Sequence, residues 1–485
     1  MIPIKQFLFW AFCLISSSAL AQQFNTYPLY SNNSNVIEIS CIETPNHVLV
    51  AAVYDNPVQS GGDVIVLLRS LDYGISWDSV TTLSTDSVFG SYYDPFLSCD
   101  SMGNLYFVAM RGTAVNLSNY NGHDTWVLKS SDDGLTWTLN GASPNTGANS
   151  GTDFPRTVAW SNGMLVLTYQ LSVAPATYIN IARSFDGGNS WNALDTIPAS
   201  TTDQICCSSL GIGPGSKINL SFYNFNSAQL FHAESADSGK TFSTPQVVSS
   251  VFDHGYYFLT SMLSNKNVQH KGIVSHPSHR FDKTYYTYTA DGITWNTTFL
   301  DSMSAYADGF MDSSGTVHVS YGKIKGSEYY LYYRYSLDSG ATFSSPLVID
   351  SNPIIYPLSI GMGDYCSIFK ASDGKIHISW CANDGVNCTA KHSVISGILT
   401  SSDYLSPKNK YTIKYSSSSH SLQISRQEND LFSIEILNAE NKIVYQNNAC
   451  YTTLSIDTEK FKTGIYFIRI LDAAGQQVVK QVLMH

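Results

Sequence analysis

Short apolar segments with an alternating pattern recur along the whole sequence. Examples are VIVLLRS (64–70), TWVLKS (125–130) and YYLYYRYS (329–336). Alternation with a period of two puts successive side chains on opposite faces, so these segments predict β-strands. A hairpin pattern lies upstream of each strand: an Asp opens one apolar strand and a Gly turn leads to the next, as in DPFLSCDSMGNLYFVA (94–109). The sequence therefore predicts an all-β fold.

An eight-residue motif, Ser-x-Asp-x-Gly-x-Ser/Thr-Trp/Phe, follows the alternating strands. Five copies keep every position, and a sixth, YTADGITW (288–295), has its carboxylate at Asp291. These box motifs start at residues 70, 130, 184, 235, 288 and 336, so they are 48 to 60 residues apart. The Asp can accept backbone N–H bonds in a tight turn, the Gly allows positive φ, and the aromatic ring packs beneath the turn. We therefore predict a structural role for them.

A repeat of four strands in about 50 residues is typical of a β-propeller blade. Residues 24–31 would supply the outer strand of the last blade and close the ring, which removes free sheet edges. A ring of six blades is the alternative, if the last hairpin completes an earlier blade. Seven blades are favoured, because seven segments resemble a first strand, near residues 36–42, 94–99, 154–160, 204–210, 255–262, 305–311 and 364–369.

The box motifs are those of the bacterial neuraminidase repeat, or Asp-box, and residues 24–405 resemble the sialidase superfamily. That resemblance implies an arginine triad for a substrate carboxylate, a Tyr nucleophile with a Glu partner, and an Asp acid/base. Asp63, in VYDNPVQSGGDVIVLLRS, falls at the acid/base position, and Tyr365, in GDYCSIFKASDGKIHISW, falls at the nucleophile position. The opening strand, where the family has its first triad Arg, has Glu38 and no Arg. If the first and last blades are neighbours, Glu38 is the candidate base for Tyr365.

Two further sets of residues are candidates for substrate binding. Arg111, Arg156 and Arg280 lie at strand starts or in loops expected to face the functional side, where they form either an anion clamp or scattered ion pairs. The second set opens the inner strands and is expected to ring one end of the channel: Asp94, Asp153, Asp203, Asp253, Asp308 and Asp364. Its carboxylates make either a cation or glycan site or a repeated strand cap. Recurrence in nearly every unit favours the cap.

Composition narrows the function classes further. The chain has 485 residues and a formal net charge of −11, which disfavours nucleic acid as a partner because phosphate neutralisation needs a basic face. Cys381 and Cys388 flank a turn and suggest a hairpin disulfide, whereas Cys206 and Cys207 suggest a vicinal bridge. No cysteine or histidine cluster has zinc-site spacing, and no metal or other cofactor is expected.

The two termini predict export. Residues 1–21 combine Lys5, an apolar run and a small-residue cleavage site, which is typical of a signal peptide. No second long apolar run follows, so the mature chain is expected to lack a transmembrane segment. Residues 411–485 contain no box motif, and FKTGIYFIRILDAAGQQVVKQVLMH resembles the C-terminal sorting domain of the type IX secretion system of Bacteroidetes. The expected domains are a signal peptide (1–21), a propeller (22–405) and an immunoglobulin-like sorting domain (406–485).

These features predict a protein exported through the periplasm and outer membrane, secreted or held at the cell surface, with the type IX machinery as a partner. Two functions remain open. One is a propeller that binds an extracellular glycan or protein, such as a glycoprotein, without catalysis. The other is an exo-acting glycosidase of sialidase type that cleaves surface glycans. The missing opening Arg, and the absence of a recognisable Glu partner in the middle blades, favour binding.

Overall fold

The computed structural model describes residues 23–484 with gaps. The undescribed residues are 1–22, 32–35, 56–63, 84–91, 112–123, 143–150, 161–162, 174–175, 198–203, 253–257, 278–280, 327, 351–353, 356–365, 384–387, 397–410, 417–419, 427–431, 439–441, 451–452, 463, 473–476 and 485. The chain divides into two compact units, one of residues 23–398 and one that contains residues 399–485. Among the described residues, no helix is long and apolar enough to cross a membrane.

The described part of the first unit is built from strands and a 3-10 turn at Pro214–Ser216. The strands are β1 (Gln23–Tyr30), β2 (Val36–Glu43), β3 (Leu49–Asp55), β4 (Val64–Ser70), β5 (Asp78–Leu83), β6 (Tyr92–Cys99), β7 (Leu105–Arg111), β8 (Asp124–Ser130), β9 (Thr138–Ala142), β10 (Gly151–Ala159), β11 (Leu165–Val173), β12 (Ala176–Ser184), β13 (Asn192–Ile197), β14 (Ile205–Ile212), β15 (Ile218–Asn224), β16 (Gln229–Ser235), β17 (Gln246–Ser249), β18 (Phe258–Asn265), β19 (Val268–Pro277), β20 (Asp282–Thr289), β21 (Asn296–Met311), β22 (Val317–Lys325), β23 (Glu328–Ser336), β24 (Leu347–Val348), β25 (Ile354–Ile355), β26 (Ser367–Lys370), β27 (Ile376–Asn383) and β28 (Cys388–Ser396).

Consecutive strands pair antiparallel in groups of four. Strands β2–β5, β6–β9, β10–β13 and β14–β17 each form one sheet. Strand β21 is long: its first part pairs with β20 and its second part with β22, so β18 to β24 form one continuous sheet, and β25, which pairs with β23, is its eighth strand. Strand β21 therefore serves as the last strand of one group and the first strand of the next.

The N-terminal strand completes the last group. Strand β1 pairs antiparallel with β28, and Phe24 lies opposite Ile395. The hydroxyls of Thr26 and Ser393 are 2.9 Å apart across this pairing. The sheet order is β1-β28-β27-β26, which confirms the prediction that residues 24–31 supply the outer strand of the group near residues 364–400.

The first strands of the groups pack side by side around a central channel. Strand β2 contacts β6, and the series continues through β10, β14, β18, β21 and β26, which contacts β2 in turn. Large apolar side chains fill the spaces between neighbouring sheets; Tyr54, Leu67 and Phe107, for example, belong to one buried cluster. The arrangement is propeller-like, and it places one strand of every group at the channel wall.

Each box motif forms the turn after the third strand of its group. In the first copy the Ser70 hydroxyl donates to Asp72 (2.8 Å), and Asp72 accepts the N–H and the hydroxyl of Ser76 (2.9 and 2.6 Å). The Trp77 indole N–H donates to the carbonyl of Gly74 (3.1 Å). These bonds are internal to the turn, as expected of a structural motif. The degenerate copy keeps the pattern with Asp291, which accepts the N–H of Thr294 at 2.7 Å.

The second unit contains two antiparallel sheets. Its strands are β29 (Tyr411–Ser416), β30 (Ser421–Arg426), β31 (Phe432–Asn438), β32 (Ile443–Cys450), β33 (Thr453–Asp457), β34 (Gly464–Asp472) and β35 (Gln477–Met484). One sheet has the order β29-β30-β33 and the other β32-β31-β34-β35. A single buried cluster draws on both sheets, through Leu422 and Ile456 on one side and Ile434 and Ile468 on the other.

Candidate functional site

One register position on the first strands lines a cavity of about 220 Å³ in the channel. At this position each residue except Ser261 pairs with the third residue after the first residue of its second strand, as Ser40 does with Ala52 and Phe96 with Val108. Ser261 pairs with Val274, further along β19, and directly precedes Met262, as Phe96 directly precedes Leu97. We call this set the channel ring. Its members are Ser40, Phe96, Arg156, Ser209, Ser261, Asp308 and Ser367, and all of them line the cavity.

The ring residues tie neighbouring sheets together. The hydroxyl of Ser40 accepts the N–H of Leu97 (3.0 Å) from the next first strand. Ser209 accepts the N–H of Met262 (2.9 Å) and Ser367 that of Cys41 (3.1 Å) in the same way, each from the strand that follows it around the channel. Asp308 uses its Oδ2 for this bond and accepts the N–H of Ile368 (3.3 Å). Side-chain oxygen at this position therefore stabilises contact between sheets.

Two ring members cannot make that bond. Phe96 has no acceptor atom, and the guanidinium of Arg156 only donates. Arg156 is 8% exposed, donates to the carbonyl of Pro155 (2.8 Å), and lies 5.0 Å from the centre of the Phe96 ring. The cavity wall thus carries a buried cation beside an aromatic face, a combination that can hold a carboxylate or a polar ring.

Asp308 is the second charged member of the ring. It is partly exposed, and it lines the cavity. Burial raises the pKa of the Asp308 carboxyl to about 6, and this effect is opposed by bonds from the Gly309 N–H and the Ser261 hydroxyl and by the charge of Arg156. A carboxyl with this pKa can accept or donate a hydrogen bond near neutral pH.

A bulge precedes the ring position in several groups. The first bulged residue has positive φ at Asp94 (52°), Phe154 (48°), Cys207 (62°) and Tyr306 (52°), and the register shifts there in each strand. A β-bulge adds one residue to its strand and re-aims the side chains around it. These bulges fix the direction of the ring residues that follow.

Three of the predicted site residues come together beside the ring. Glu38 is buried and accepts the N–H of Asp94 (2.8 Å) through Oε2. The Oδ2 of Asp94 in turn accepts the N–H of Phe154 (3.4 Å), and Asp153 accepts the same N–H at 3.0 Å. Asp94 thus bonds the backbone of the neighbouring sheet, which matches the strand-cap interpretation.

Several other predicted residues fall outside the described part of the chain: Asp63, Tyr365, Arg280, Asp203, Asp253 and Asp364. For Arg111 the backbone alone is described, at the end of β7 opposite Tyr92. The proposed pairing of Glu38 with Tyr365 therefore stays a prediction, and so does the clamp of three arginines.

The predicted ring of equivalent Asp residues is corrected by the register. Asp94 is the first residue of its bulge, Asp153 lies just before a bulge, and Asp308 lies just after one. The three residues therefore occupy three different positions along their strands relative to the bulge. Of the three, Asp308 alone belongs to the channel ring. The ring was not predicted from the sequence. Its members lie three residues before the end of the first strand, at the hairpin turn, except Ser261, which lies four residues before Asn265, and this spacing is the signal that could have located them.

The hairpin disulfide suggested by the sequence is not formed in the structure. Cys381 and Cys388 are buried thiols, and each lies opposite a different residue, Ala390 and Asn383. Cys206 and Cys207 are also buried thiols, and their sulfur atoms are in contact. Within the described residues, no group of three or more His, Cys, Asp or Glu side chains is placed to hold a metal ion.

Several solved structures are similar to the chain. They include the alpha-L-arabinanase of Penicillium chrysogenum in complex with arabinobiose (14% identity, 76% of this chain and 97% of that chain covered, TM-score 0.47). A protein of unknown function from Dyadobacter fermentans gives the same four values. The K499G mutant of NanB sialidase from Streptococcus pneumoniae shares 12% identity, with 76% and 70% covered and a TM-score of 0.44. No curated protein matches the sequence.

A family model matches the end of the chain. Residues 410–484 fit the family described as "Secretion system C-terminal sorting domain". The match covers the second unit and agrees with the sorting domain inferred from its sequence. The chain therefore carries a type IX secretion sorting domain and is exported by that system to the cell surface or the medium.

Proposed function

We propose that the exported propeller binds an extracellular glycan at the channel ring and does not cleave it. The observation that carries this proposal is the placement of Arg156, with Phe96 beside it, at a wall position where serine oxygens bond the next sheet in three of the other groups. A guanidinium that lines the cavity can donate in a planar fork to an acceptor on a ligand.

The three non-serine members of the ring suggest what the ligand offers. Arg156 can donate hydrogen bonds to a carboxylate or a hydroxyl of the ligand, and a sugar ring can stack on the face of Phe96. Asp308, which lines the same cavity, can accept a hydrogen bond from a hydroxyl of the ligand. A terminal sugar of a glycan carries all three features. Asp94, Asp153 and Glu38 support the wall behind this cavity, and we place Arg111, Arg280 and Asp364 among the further contacts.

The test is a glycan array probed with the full chain recovered from the medium. Arg156→Gln is expected to abolish any signal, and Arg156→Lys to weaken it by at least about tenfold, because an ammonium cannot replace the planar fork. The matched control is Arg183→Gln, since Arg183 precedes a box motif and stacks on exposed Phe185 away from the cavity. Binding that survives Arg156→Gln in a folded protein would contradict the proposal.

Hydrolysis assays separate binding from catalysis. Fluorogenic sialosides and arabinosides are expected to remain intact with the purified chain. Turnover that is lost in Tyr365→Phe, Asp63→Asn and Glu38→Gln would instead support the glycosidase. In that enzyme Tyr365 would be the nucleophile, Glu38 its base and Asp63 the acid/base.

We also infer that the groups of strands are seven blades, that residues 1–21 are a cleaved signal peptide, and that the sorting domain is an immunoglobulin-like sandwich. Support for seven blades comes from the cyclic contacts among the first strands and from the pairing of β1 with β28. A crystal structure of the secreted chain tests the blade count and the sandwich topology, and N-terminal sequencing tests the start near Gln22. A ring of six blades, or a retained leader, would contradict these inferences.

A further inference from the structure

Cys206 and Cys207 are neighbours in β14, three and two residues before the ring residue Ser209. Their Sγ atoms are 2.6 Å apart. The two side chains are 1% and 2% exposed and belong to the apolar cluster between β14–β17 and the next sheet. Two sulfur atoms at this separation are closer than nonbonded contact allows, and a covalent bond is the arrangement that relieves the overlap.

The local backbone explains how adjacent side chains can meet. In a regular strand, successive side chains point to opposite faces, so neighbouring cysteines cannot touch. Here the pairing jumps from Cys206, opposite Tyr223, to Ser209, opposite Ser221, and Cys207 has a φ of 62°. The equivalent bulges have positive φ at Phe154 and Tyr306 without any cysteine. The fold itself therefore sets this conformation, and the thiols are brought together by it.

We propose that Cys206 and Cys207 form a vicinal disulfide during export. The two S–H bonds break, one S–S bond forms, and two protons and two electrons leave the pair. The oxidant is a disulfide-bonded oxidoreductase of the periplasm, whose own disulfide is reduced to a dithiol by thiol–disulfide exchange. Because both sulfur atoms are buried in the folded chain, the exchange takes place before the neighbouring sheet closes over them.

The bond has a structural consequence for the cavity. It closes a small ring around the Cys206–Cys207 peptide and holds the bulge in its conformation. The hydroxyl of Thr260 donates to the carbonyl of Cys207 (2.7 Å), and the N–H of Met262 donates to Ser209 (2.9 Å), so this bulge sits at the joint between two sheets. Once folded, the disulfide is shielded from reductants.

The test is thiol mapping of the full chain recovered from the medium of its host. The protein is unfolded in denaturant without reductant, treated with iodoacetamide and digested. The peptide containing residues 206–207 is expected to be unlabelled and lighter by two hydrogen atoms, while the peptide of the buried thiol Cys366 takes the label. After reduction, both Cys206 and Cys207 should be labelled. Labelling of both before reduction, or a link from either to another cysteine, overturns the proposal.

A second measurement does not depend on a variant folding. Dithiothreitol added to the native protein should leave the pair oxidised, whereas the same treatment in denaturant should reduce it. Rapid reduction in the native protein would show that the pair is exposed and that the burial argument is wrong.

Discussion

The glycine of the first box motif offers a sharp test of how the sheets pack. Gly74 has a φ of 85°, and a β-carbon there would lie 2.2 Å from Cδ2 of His392 in the neighbouring sheet. His392 cannot turn away, because its ring nitrogens bond His377 (2.8 Å) and Ser379 (2.8 Å) and its side chain is fully buried. Gly74→Ala therefore adds a steric clash to the conformational cost of positive φ.

The degenerate copy supplies a matched control. Gly292 occupies the same place in its turn with a φ of 76°, and a β-carbon there would meet nothing within 4 Å. Gly292→Ala should cost about 1–2 kcal/mol of unfolding free energy, the price of the left-handed conformation alone. Gly74→Ala should cost about 2–5 kcal/mol, because overpacking adds about 1–3 kcal/mol.

Urea unfolding of the full chain measures both costs. Tryptophan fluorescence is a suitable signal, since Trp77 lies 5.3 Å from His392 and should also report a local displacement in Gly74→Ala. The difference in midpoint, multiplied by the common slope, gives the difference in free energy. If Gly74→Ala is no less stable than Gly292→Ala, the sheets do not approach each other as described.

Three further outcomes are expected. Burial lowers the pKa of His276 from 6.5 to about 4, so the unfolded chain binds the proton at a higher pH than the folded chain does. The free energy of unfolding should therefore fall by about 3 kcal/mol as pH falls from 7 to 4. In His276→Gln the urea midpoint should depend less on pH over this range, and an unchanged pH dependence would contradict the assignment. Ser209→Ala leaves the N–H of Met262 without this acceptor and should cost about 1–3 kcal/mol in the same assay, with exposed Ser372→Ala as the control. Deletion of residues 411–485 should leave the propeller folded but retained in the cell, as immunoblots of cells and medium would show, and release of the truncated chain would refute a sorting role.

The sequence predicted the elements whose signals are local. The box motifs could be recognised because Asp72 and its equivalents bond within eight residues of the chain. The place of β1 could also be predicted, since one group lacked a fourth strand and residues 24–31 had no other partner. Both predictions depend on counting strands and reading short motifs.

The register position of each residue on the channel wall could not be predicted from strand counts and short motifs. Aligning the inner strands on their opening Asp treated Asp94, Asp153 and Asp308 as equivalent. The bulge lies at a different distance from the Asp in each strand, so the register places the three at different levels. The prediction of a hairpin disulfide was wrong for a related reason, because Cys381 and Cys388 lie opposite other residues in the pairing of β27 with β28.

The repeat itself provides the most direct way to separate function from scaffold at the channel ring. Serine occupies the ring position in four groups, and in three of them its hydroxyl bonds the N–H of the next first strand. Arg156 does not accept such a bond, Asp308 makes it through a carboxylate, and the charge of Arg156 acts on the Asp308 carboxyl. Replacing one alone would leave the other charge in the cavity wall without this interaction, which is destabilising. The informative variant is therefore Arg156→Ser combined with Asp308→Ser.

This double substitution restores at both sites a residue that the scaffold already uses there. Each serine can accept the neighbouring N–H, and the Asp308 carboxyl and the Arg156 guanidinium are removed together. We expect unfolding free energy within about 1 kcal/mol of the parent, or higher, because functional groups in proteins are commonly kept at the expense of stability. Glycan binding should be lost at the same time. A loss of more than about 2 kcal/mol would mean that the two charges hold the ring together, and retained binding by a stable variant would place the ligand elsewhere on the protein.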